Sequence, residues 1–348
     1  MRSIILNKKA TINDVAKYAN VSIATVSRYL SNNGYPIKEQ TKESIKKAIE
    51  KLSYTPNIVG RMLKTNKSMD IGVIIPTILN PYYPSVIYGI EKKAREKGYN
   101  ILLCNSQRDI DLQKQYVNTL IQKQVKGLII SSIKEDYDLY LDIINKGIGL
   151  VSLEDDVQID KVGQVLFDYK KGACMAVEHL IGLGHTKIAF LTSPLVRQSR
   201  KDILEGYMKC LKDNNIKYVK VIEIDKENEY ENGALLVAKL LKEKDLPTAI
   251  LAVNDMVAYG IMQYLSQNNI KVPEQMSVVG FDDLIISKMM NPALTTISQP
   301  SQETGAKAVS MLFDILDGKK PNKIVLEPKL IVRASTNKVK GEKTYEQK

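Results

Sequence analysis

The sequence predicts a small all-α head followed by a large α/β body of two lobes. Two short amphipathic helices joined by a tight turn are predicted within the first 31 residues, and a third helix follows them. From Asp70 onward, strand-like runs alternate with amphipathic helices. Residues 1–67 hold 13 Lys or Arg against 4 Asp or Glu, whereas residues 68–337 hold 33 of each. A basic head on a neutral body is typical of a nucleic-acid-binding module attached to a domain that binds no polyanion.

Bulk composition sets the class of protein. A chain of 348 residues with 44% apolar content is long enough for two or three globular domains. No run of about 18 apolar residues occurs, and the N-terminus lacks a secretory apolar region, so we expect no membrane partner and a cytoplasmic location. The odd number of cysteines (Cys104, Cys174 and Cys210) and their spacing predict neither a disulfide framework nor a metal site.

Capping residues mark the helices of the head. Thr11 and Asp14 have the spacing of a capping box, and an apolar face follows them at Ile12, Val15, Ala16 and Ala19. Asn20-Val21 interrupts this helix, and Ser22 can cap a second helix over residues 23–30. A third helix is predicted with Ile45, Ala48, Ile49 and Leu52 on its apolar face. This order predicts a helix-turn-helix.

The second helix is the predicted recognition helix, because a helix-turn-helix places the N-terminal residues of that helix in the major groove. Ile23 and Ala24 can offer only apolar contacts, for instance to thymine methyl groups, whereas Arg28 can donate two hydrogen bonds to guanine. The candidate phosphate contacts are Thr25, Ser27, Tyr29 and the backbone amide of Ser22. The alternative is a surface helix with one ordinary arginine, which the caps, the spacing and the charge disfavour.

The run TINDVAKYANVSIATVSRYLSNNGYPIKEQTKESIKKAIEKLSYTPN resembles the DNA-binding head of the LacI/GalR repressor family, and the likeness extends to about Arg333. The resemblance implies a DNA-binding domain over residues 1–56, a hinge over 57–67, a sensing and dimerisation body over 68–337 and a polar tail over 338–348. It also implies that the hinge contacts DNA through Asn57, Arg61, Leu63 and Lys64, with Leu63 as a wedge in the minor groove.

The body is predicted to contain parallel sheets flanked by helices. Strand-like runs cover Ile71–Ile75, Asn100–Cys104, Gly127–Ser131, Gly149–Leu153, Lys187–Leu191, Val219–Ile224, Ala249–Val253 and Ser277–Gly280. Amphipathic helices are predicted at Ser85–Lys97, Leu112–Gln124, Lys170–Leu183, Asp202–Asn214, Met256–Asn268 and Gln302–Leu316. So many strands indicate two α/β lobes with a ligand cleft at the carboxyl ends of the strands.

The resemblance implies that this body is similar to periplasmic sugar-binding proteins. One lobe would then take residues from about 68–167 and 299–324, and the other from 168–298 and 325–337. The residues implied to bind a sugar-like effector are Asn80, Tyr82, Tyr83, Glu154, Asp155, Arg197, Ser199, Lys201, Asn254, Asp282 and Gln299. Polar side chains are needed there because an unpaired polar group in a closed cleft is costly.

Four positions depart from the family pattern. Glu154-Asp155 stands where many relatives have Asp-Arg, while Lys201 and Ile203 replace two common arginines. A lysine does not reproduce the bidentate hydrogen bonding of a guanidinium group, although Arg197 and Ser199 lie nearby in the sequence. Two neighbouring acids allow either an amine-bearing or a neutral sugar, and both alternatives stay open.

The sequence is compatible to different degrees with three functional classes. The pattern favours a ligand-controlled repressor that binds a palindromic operator as a homodimer, with the helices Ser85–Lys97 and Gln302–Leu316 as dimer faces; the effector can be an inducer or a co-repressor. A stand-alone sugar-binding protein is the alternative. An enzyme is not expected, because the chain has no G-x-S-x-G, P-loop or G-x-G-x-x-G motif and its two histidines, His179 and His185, do not form H-E-x-x-H. We expect no cofactor.

Overall fold

A computed structural model describes residues 10–31, 35–55, 69–132, 136–154, 156–224 and 228–339. The chain divides into two compact units, Met1–Ser68 and Met69–Lys348, which correspond to a head and a body. The predicted hinge at 57–67 lies outside the described residues. In the part of the chain that the structure describes, no helix has the length and apolar character needed to cross a membrane.

The head contains three helices, α1 (Ile12–Tyr18), α2 (Ile23–Ser31) and α3 (Glu39–Lys51). The predicted capping box at the start of α1 is present, since Thr11 Oγ1 accepts a hydrogen bond from Asp14 N and the Asp14 carboxylate accepts one from Thr11 N. Ser22 Oγ accepts a hydrogen bond from Thr25 N and so caps α2. The helices share a small core of Val15, Ala16, Ala19, Val26, Ile45, Ala48 and Tyr54.

The body contains twelve strands in the described residues, divided equally between two sheets. The strands are β1 (Asp70–Ile75), β2 (Asn100–Asn105), β3 (Gly127–Ser131), β4 (Gly149–Leu153), β5 (Gly163–Phe167), β6 (Ile188–Thr192), β7 (Lys220–Glu223), β8 (Ala249–Ala252), β9 (Ser277–Asp282), β10 (Thr295–Ser298), β11 (Lys323–Leu326) and β12 (Lys329–Ile331). The first sheet has the order β11-β5-β4-β3-β1-β2 and is parallel throughout. The second has the order β12-β10-β9-β8-β6-β7, in which only β12 is antiparallel.

Helices connect the parallel strands, as the geometry of crossover connections requires. They are α4 (Tyr82–Glu96), α5 (Ile110–Gln122), α6 (Tyr137–Asn145), α7 (Tyr169–Gly182), α8 (Gln198–Asp213), α9 (Glu229–Leu240), α10 (Asp255–Gln267) and α11 (Ser301–Leu316). The chain passes between the sheets after β5, after β10 and after β11. Each sheet therefore belongs to one lobe, and we call these the first lobe and the second lobe.

The structure confirms the predicted fold class and adds elements that the sequence pattern did not single out. These are β5, β10, β11, β12, α6 and α9. Strands β10, β11 and β12 have four, four and three residues, and the last two have exposed positions, so their apolar pattern is too short to be distinctive. The central strands are buried along nearly their whole length because helices cover both faces of each sheet.

Candidate functional site

The predicted recognition residues lie along one exposed face of α2. The side chains of Ser22, Ile23, Ala24, Ser27 and Arg28 are exposed, and Thr25 and Tyr29 are half-buried. Val26, on the opposite face, is fully buried in the core of the head. Ile23 is 49% exposed although it is a large apolar side chain, which is consistent with a contact that the head makes outside itself.

The Arg28 guanidinium lies 4.4 Å from the centre of the Tyr35 ring. This cation–π contact joins the last turn of the predicted recognition helix to the segment that follows it. The other predicted DNA contacts, at Asn57, Arg61, Leu63 and Lys64, lie outside the described residues.

A cavity lies between the two lobes of the body, at the carboxyl ends of the parallel strands. The volume of the cavity is about 50 Å³, which is room for a few waters. It is lined by Asn80, Tyr82, Tyr83, Glu154, Tyr169, Arg197, Ser199, Arg200, Ile203, Glu229, Val253, Asn254, Asp282 and Gln299. A wider depression of about 530 Å³ beside residues 283–288 is open to solvent and shares only Gln299 with this lining.

The cavity brings together nine of the eleven residues that the resemblance implied for effector binding. Asp155 lies outside the described residues. Lys201 is exposed and does not line the cavity, because α8 begins at Gln198 and directs the neighbouring Arg200 into the cleft instead. The effector-binding role of the nine residues stays a prediction, but their convergence at one place is a property of the fold.

Glu154 is a paired acid. It follows β4 with a backbone φ of 70°, and its carboxylate accepts hydrogen bonds from Ser131 Oγ at 3.0 Å and from Tyr169 OH at 3.1 Å. Arg197 Nη2 donates to the same carboxylate at 2.6 Å. Because these donors occupy its oxygens, Glu154 does not present a free acid to an amine. The amine-bearing alternative therefore has no support at this residue.

Two tyrosines form one wall of the cavity. The rings of Tyr82 and Tyr83 meet edge to face with their centres 5.3 Å apart, and the Tyr83 hydroxyl accepts a hydrogen bond from Arg197. Burial, followed by the nearby Glu154 carboxylate, raises the pKa of Tyr82 well above its usual value. Both tyrosines are therefore neutral at pH 7, and their rings can pack against the apolar face of a sugar ring.

Asp282 and Gln299 form the opposite wall. Gln299 Nε2 donates to Asp282 Oδ1 at 2.7 Å, and Gln299 Oε1 is buried without a hydrogen-bond partner among the described residues. The backbone at Asp282 has a φ of 129°, a region in which a side chain is strained. Burial, together with the carboxylates of Asp255, Glu229 and Glu154, raises the pKa of Asp282 well above its usual value. The wall therefore offers an unpaired acceptor at Gln299 Oε1, and the Asp282 carboxyl can accept a hydrogen bond and, when protonated, donate one to a hydroxyl-rich ligand.

Sequence reasoning missed Glu229, an acid of the site that has four side-chain partners. It is the first residue of α9, and its carboxylate accepts hydrogen bonds from Asn80 Nδ2 at 2.9 Å and from Asn254 Nδ2 at 2.8 Å. It also pairs with Arg108 at 2.7 Å and with Arg200 at 3.2 Å. The strand Val219–Ile224 was predicted, but Glu229 lies five residues beyond its end, and it is one of four acids in the run IDKENEYENG, so no local pattern distinguishes it.

The two histidines lie away from the cavity. The His185 ring contacts Thr248 Oγ1 at 2.8 Å, Ser277 Oγ at 3.1 Å and the Asn337 carbonyl at 3.0 Å, and burial lowers its pKa. His179 contacts Thr336 Oγ1 at 2.9 Å. Both rings thus connect helix α7 and the turn after it to the C-terminal segment, which is a structural role.

An exposed recognition helix in the head and a polar cleft between two α/β lobes define the class of the protein: a ligand-responsive transcription regulator. Two family models match the chain, "Bacterial regulatory proteins, lacI family" over residues 11–57 and "Periplasmic binding proteins and sugar binding domain of LacI family" over residues 68–334. The chain therefore belongs to the LacI family of bacterial regulatory proteins.

Individual relatives agree with this assignment. The chain is 32% identical to the HTH-type transcriptional repressor PurR of Mannheimia succiniciproducens, over 95% of this chain and 99% of that protein. It is 33% identical to the HTH-type transcriptional regulator DegA of Bacillus subtilis, over 94% of this chain and 98% of that protein. Among solved structures, the Lac repressor dimer bound to operator and the anti-inducer ONPF superposes with a TM-score of 0.85 at 29% identity, over 95% of this chain and all of that one. A LacI-family regulator from Enterococcus faecium with bound ribose gives 0.72 at 26% identity, over 78% of this chain and all of that one.

Proposed function

We propose that this protein is a repressor that binds a palindromic operator as a homodimer and that a small sugar or sugar-like effector in the cleft controls its affinity for DNA. The observation that carries the proposal is the polar cavity at the carboxyl ends of two parallel sheets, in a chain whose head exposes a recognition helix. The related structures bind operator DNA and ONPF in one case and ribose in another.

On the DNA side, base recognition rests on the exposed face of α2. Arg28 is the residue on this face that can donate two hydrogen bonds to guanine O6 and N7, while Ile23 and Ala24 offer apolar contacts to thymine methyl groups. A homodimer presents two such helices, so the half-sites are expected about one helical turn apart.

On the effector side, the side chains that line the cavity suit a neutral, hydroxyl-rich molecule, and because the cavity has room for only a few waters, the lobes must separate to admit it. Gln299 Oε1 and the Asp282 carboxyl can accept hydrogen bonds from hydroxyl groups, and the rings of Tyr82 and Tyr83 supply an apolar face. Of the lining arginines, Arg197 pairs with Glu154, whereas Arg200 shares Glu229 with Arg108. An effector changes DNA affinity only to the extent that it binds the two conformations of the cleft differently.

We also propose that the protein has no enzymatic activity and acts in the cytoplasm, where its operator lies. The relatives described above are named transcriptional regulators. The histidines have structural partners, and the acids of the cavity are held by arginine and amide groups, which leaves no general base placed beside a nucleophile in the described cavity.

The test is fluorescence-anisotropy binding to DNA fragments that flank the gene of this protein, repeated with neutral sugars, amino sugars and sugar acids. Tight, salt-sensitive binding to a palindrome that one sugar changes would support the proposal, and the direction of the change would show whether that sugar is an inducer or a co-repressor. Sugar binding without sequence-specific DNA binding would instead support the stand-alone sugar-binding alternative.

A further inference from the structure

We infer that Glu229 is an interlobe latch, a positioning residue whose carboxylate ties the first lobe to the second through Arg108 and Asn80. The inference rests on the proposed function only for its consequence, which is control of effector access. The latch itself is a matter of contacts within the body.

Glu229 is placed to join the lobes because its partners come from both of them. Arg108 follows β2 and Asn80 follows β1, so these two belong to the first lobe, whereas Glu229 begins α9 of the second lobe. The separations along the chain are 121 residues for Arg108 and 149 for Asn80. The Glu229 side chain is 8% exposed and the Arg108 side chain 34%, so the carboxylate is buried in the cleft while the guanidinium group is partly open to solvent.

The two oxygens of Glu229 serve different partners. Oε1 accepts from the guanidinium groups of Arg108 and Arg200, and Oε2 accepts from the side-chain amides of Asn80 and Asn254. Each amide also uses its own Oδ1, since Asn80 accepts from Tyr82 N and Asn254 accepts from Val257 N. Glu229 therefore fixes the orientation of two amides that line the cavity as well as the separation of the lobes.

The loop that carries Arg108 has a backbone conformation fixed by hydrogen bonds to the end of β1. Gln107 and Arg108 have backbone φ values of 52° and 62°, a conformation that side chains rarely adopt in succession. Backbone bonds anchor the loop to the end of β1, from Ser106 N to Ile75 O at 2.9 Å and from Arg108 N to Pro76 O at 2.9 Å. Such strain persists where the surrounding structure compensates for it, and here both these backbone bonds and the ion pair to Glu229 hold the loop.

A second ion pair of opposite polarity crosses the same cleft. Glu154 of the first lobe pairs with Arg197 of the second at 2.6 Å, with side-chain exposures of 7% and 16%. Each lobe thus contributes one glutamate and one arginine to these two interlobe ion pairs. Arg108 lies outside the lining of the cavity, so its removal weakens the latch without removing a wall of the binding site.

The test is hydrogen–deuterium exchange of the full-length protein, with and without the substitution Arg108→Ala. Exchange is expected to become at least tenfold faster in two peptides, one spanning residues 104–112 and one spanning residues 228–234, because loss of the latch frees both sides of the cleft. Glu229→Gln is expected to accelerate the same two peptides, and the double variant to add little to the larger single effect.

The matched controls are Arg95→Ala and Glu303→Gln, two exposed helical positions outside both peptides, and neither is expected to change the exchange of these peptides. Acceleration confined to residues 104–112 in Arg108→Ala would overturn the latch, because it would show a purely local role. Unchanged exchange in both peptides would overturn it too. The exchange needs neither DNA nor effector, so a failure of the latch and a failure of the proposed function are distinguishable.

Discussion

At the scale of single residues, Asp255 is a fully buried carboxyl group that follows directly after Asn254, which lines the cavity. Its oxygens accept hydrogen bonds from Thr296 Oγ1 at 2.6 Å, Leu284 N at 2.8 Å and Ser287 Oγ at 2.5 Å. Burial raises the pKa of Asp255 to about 6, because three hydrogen bonds to the carboxylate only partly offset the loss of hydration. The folded state therefore binds a proton more tightly here than the unfolded chain does.

This pKa shift gives a pH-dependent prediction for Asp255→Asn. The stability that the raised pKa contributes is fully present below the unfolded pKa of about 3.9, and it is lost as pH rises through the folded value. The parent therefore loses stability between pH 5 and pH 8 and the variant does not. We expect the free energy of unfolding of the variant minus that of the parent to increase by roughly 1–1.5 kcal/mol over this range. Urea unfolding at several pH values measures this, with the exposed Asp213→Asn as control; parallel curves for variant and parent would refute it.

Arg28 gives a second prediction at this scale. Arg28→Ala is expected to erode discrimination at one base pair of each half-site by about 1–3 kcal/mol, because it removes two hydrogen bonds to one guanine. Lys64→Ala is expected to weaken binding to all sequences alike and to reduce the salt slope by about one. Binding to operators with single-base changes distinguishes the two. Unchanged base preference in Arg28→Ala would show that the recognition helix is docked differently.

At the scale of elements, helices α4 and α11 pack closely because each has a glycine where the other approaches. A Cβ added at Gly89 would lie 2.1 Å from the Gln302 carbonyl oxygen, and one at Gly305 would lie 2.2 Å from the Val86 carbonyl oxygen. Both neighbours are backbone atoms, so no side chain can move aside. Glycine in these helices is thus explained by packing, although it is a weak helix former.

Gly89→Ala is accordingly expected to destabilise the body by about 1–3 kcal/mol, since overpacking outweighs the gain in helix propensity. Gly182→Ala is the matched control, because nothing lies within 4 Å of its added Cβ at the end of α7. We expect this control to be neutral or stabilising by up to about 1 kcal/mol. Chemical denaturation of both variants measures the difference, and equal stabilities would mean that the helices separate without cost.

At the scale of the whole molecule, the dimer makes the spacing of half-sites a geometric requirement. Inserting five base pairs at the centre of the operator turns one half-site to the opposite face of the duplex. We expect affinity to fall toward the non-specific level, on the order of 10³-fold or more. A control operator of unchanged length with altered flanking bases is expected to bind normally. If the insertion leaves affinity intact, the two heads bind independently. The dimer faces at Ser85–Lys97 and Gln302–Leu316 remain a prediction.

The sequence by itself determined those elements that depend on residues close to one another along the chain. The capping box of Thr11 and Asp14, the apolar faces of the helices and the buried central strands all follow from residues a few positions apart, so their patterns are visible in the chain. It also determined that polar residues stand at the strand ends, which is why nine predicted residues converge on one cavity.

Only the tertiary structure decided which of those side chains meet across the cleft. Glu229 pairs with Arg108 at a separation of 121 residues, and no local pattern marks either one. Arg200 rather than Lys201 faces the cavity, because the first residue of α8 fixes which side chains of that helix point inward. Contacts of this kind depend on how two complete sheets are placed against each other, and that placement is a property of the folded chain alone.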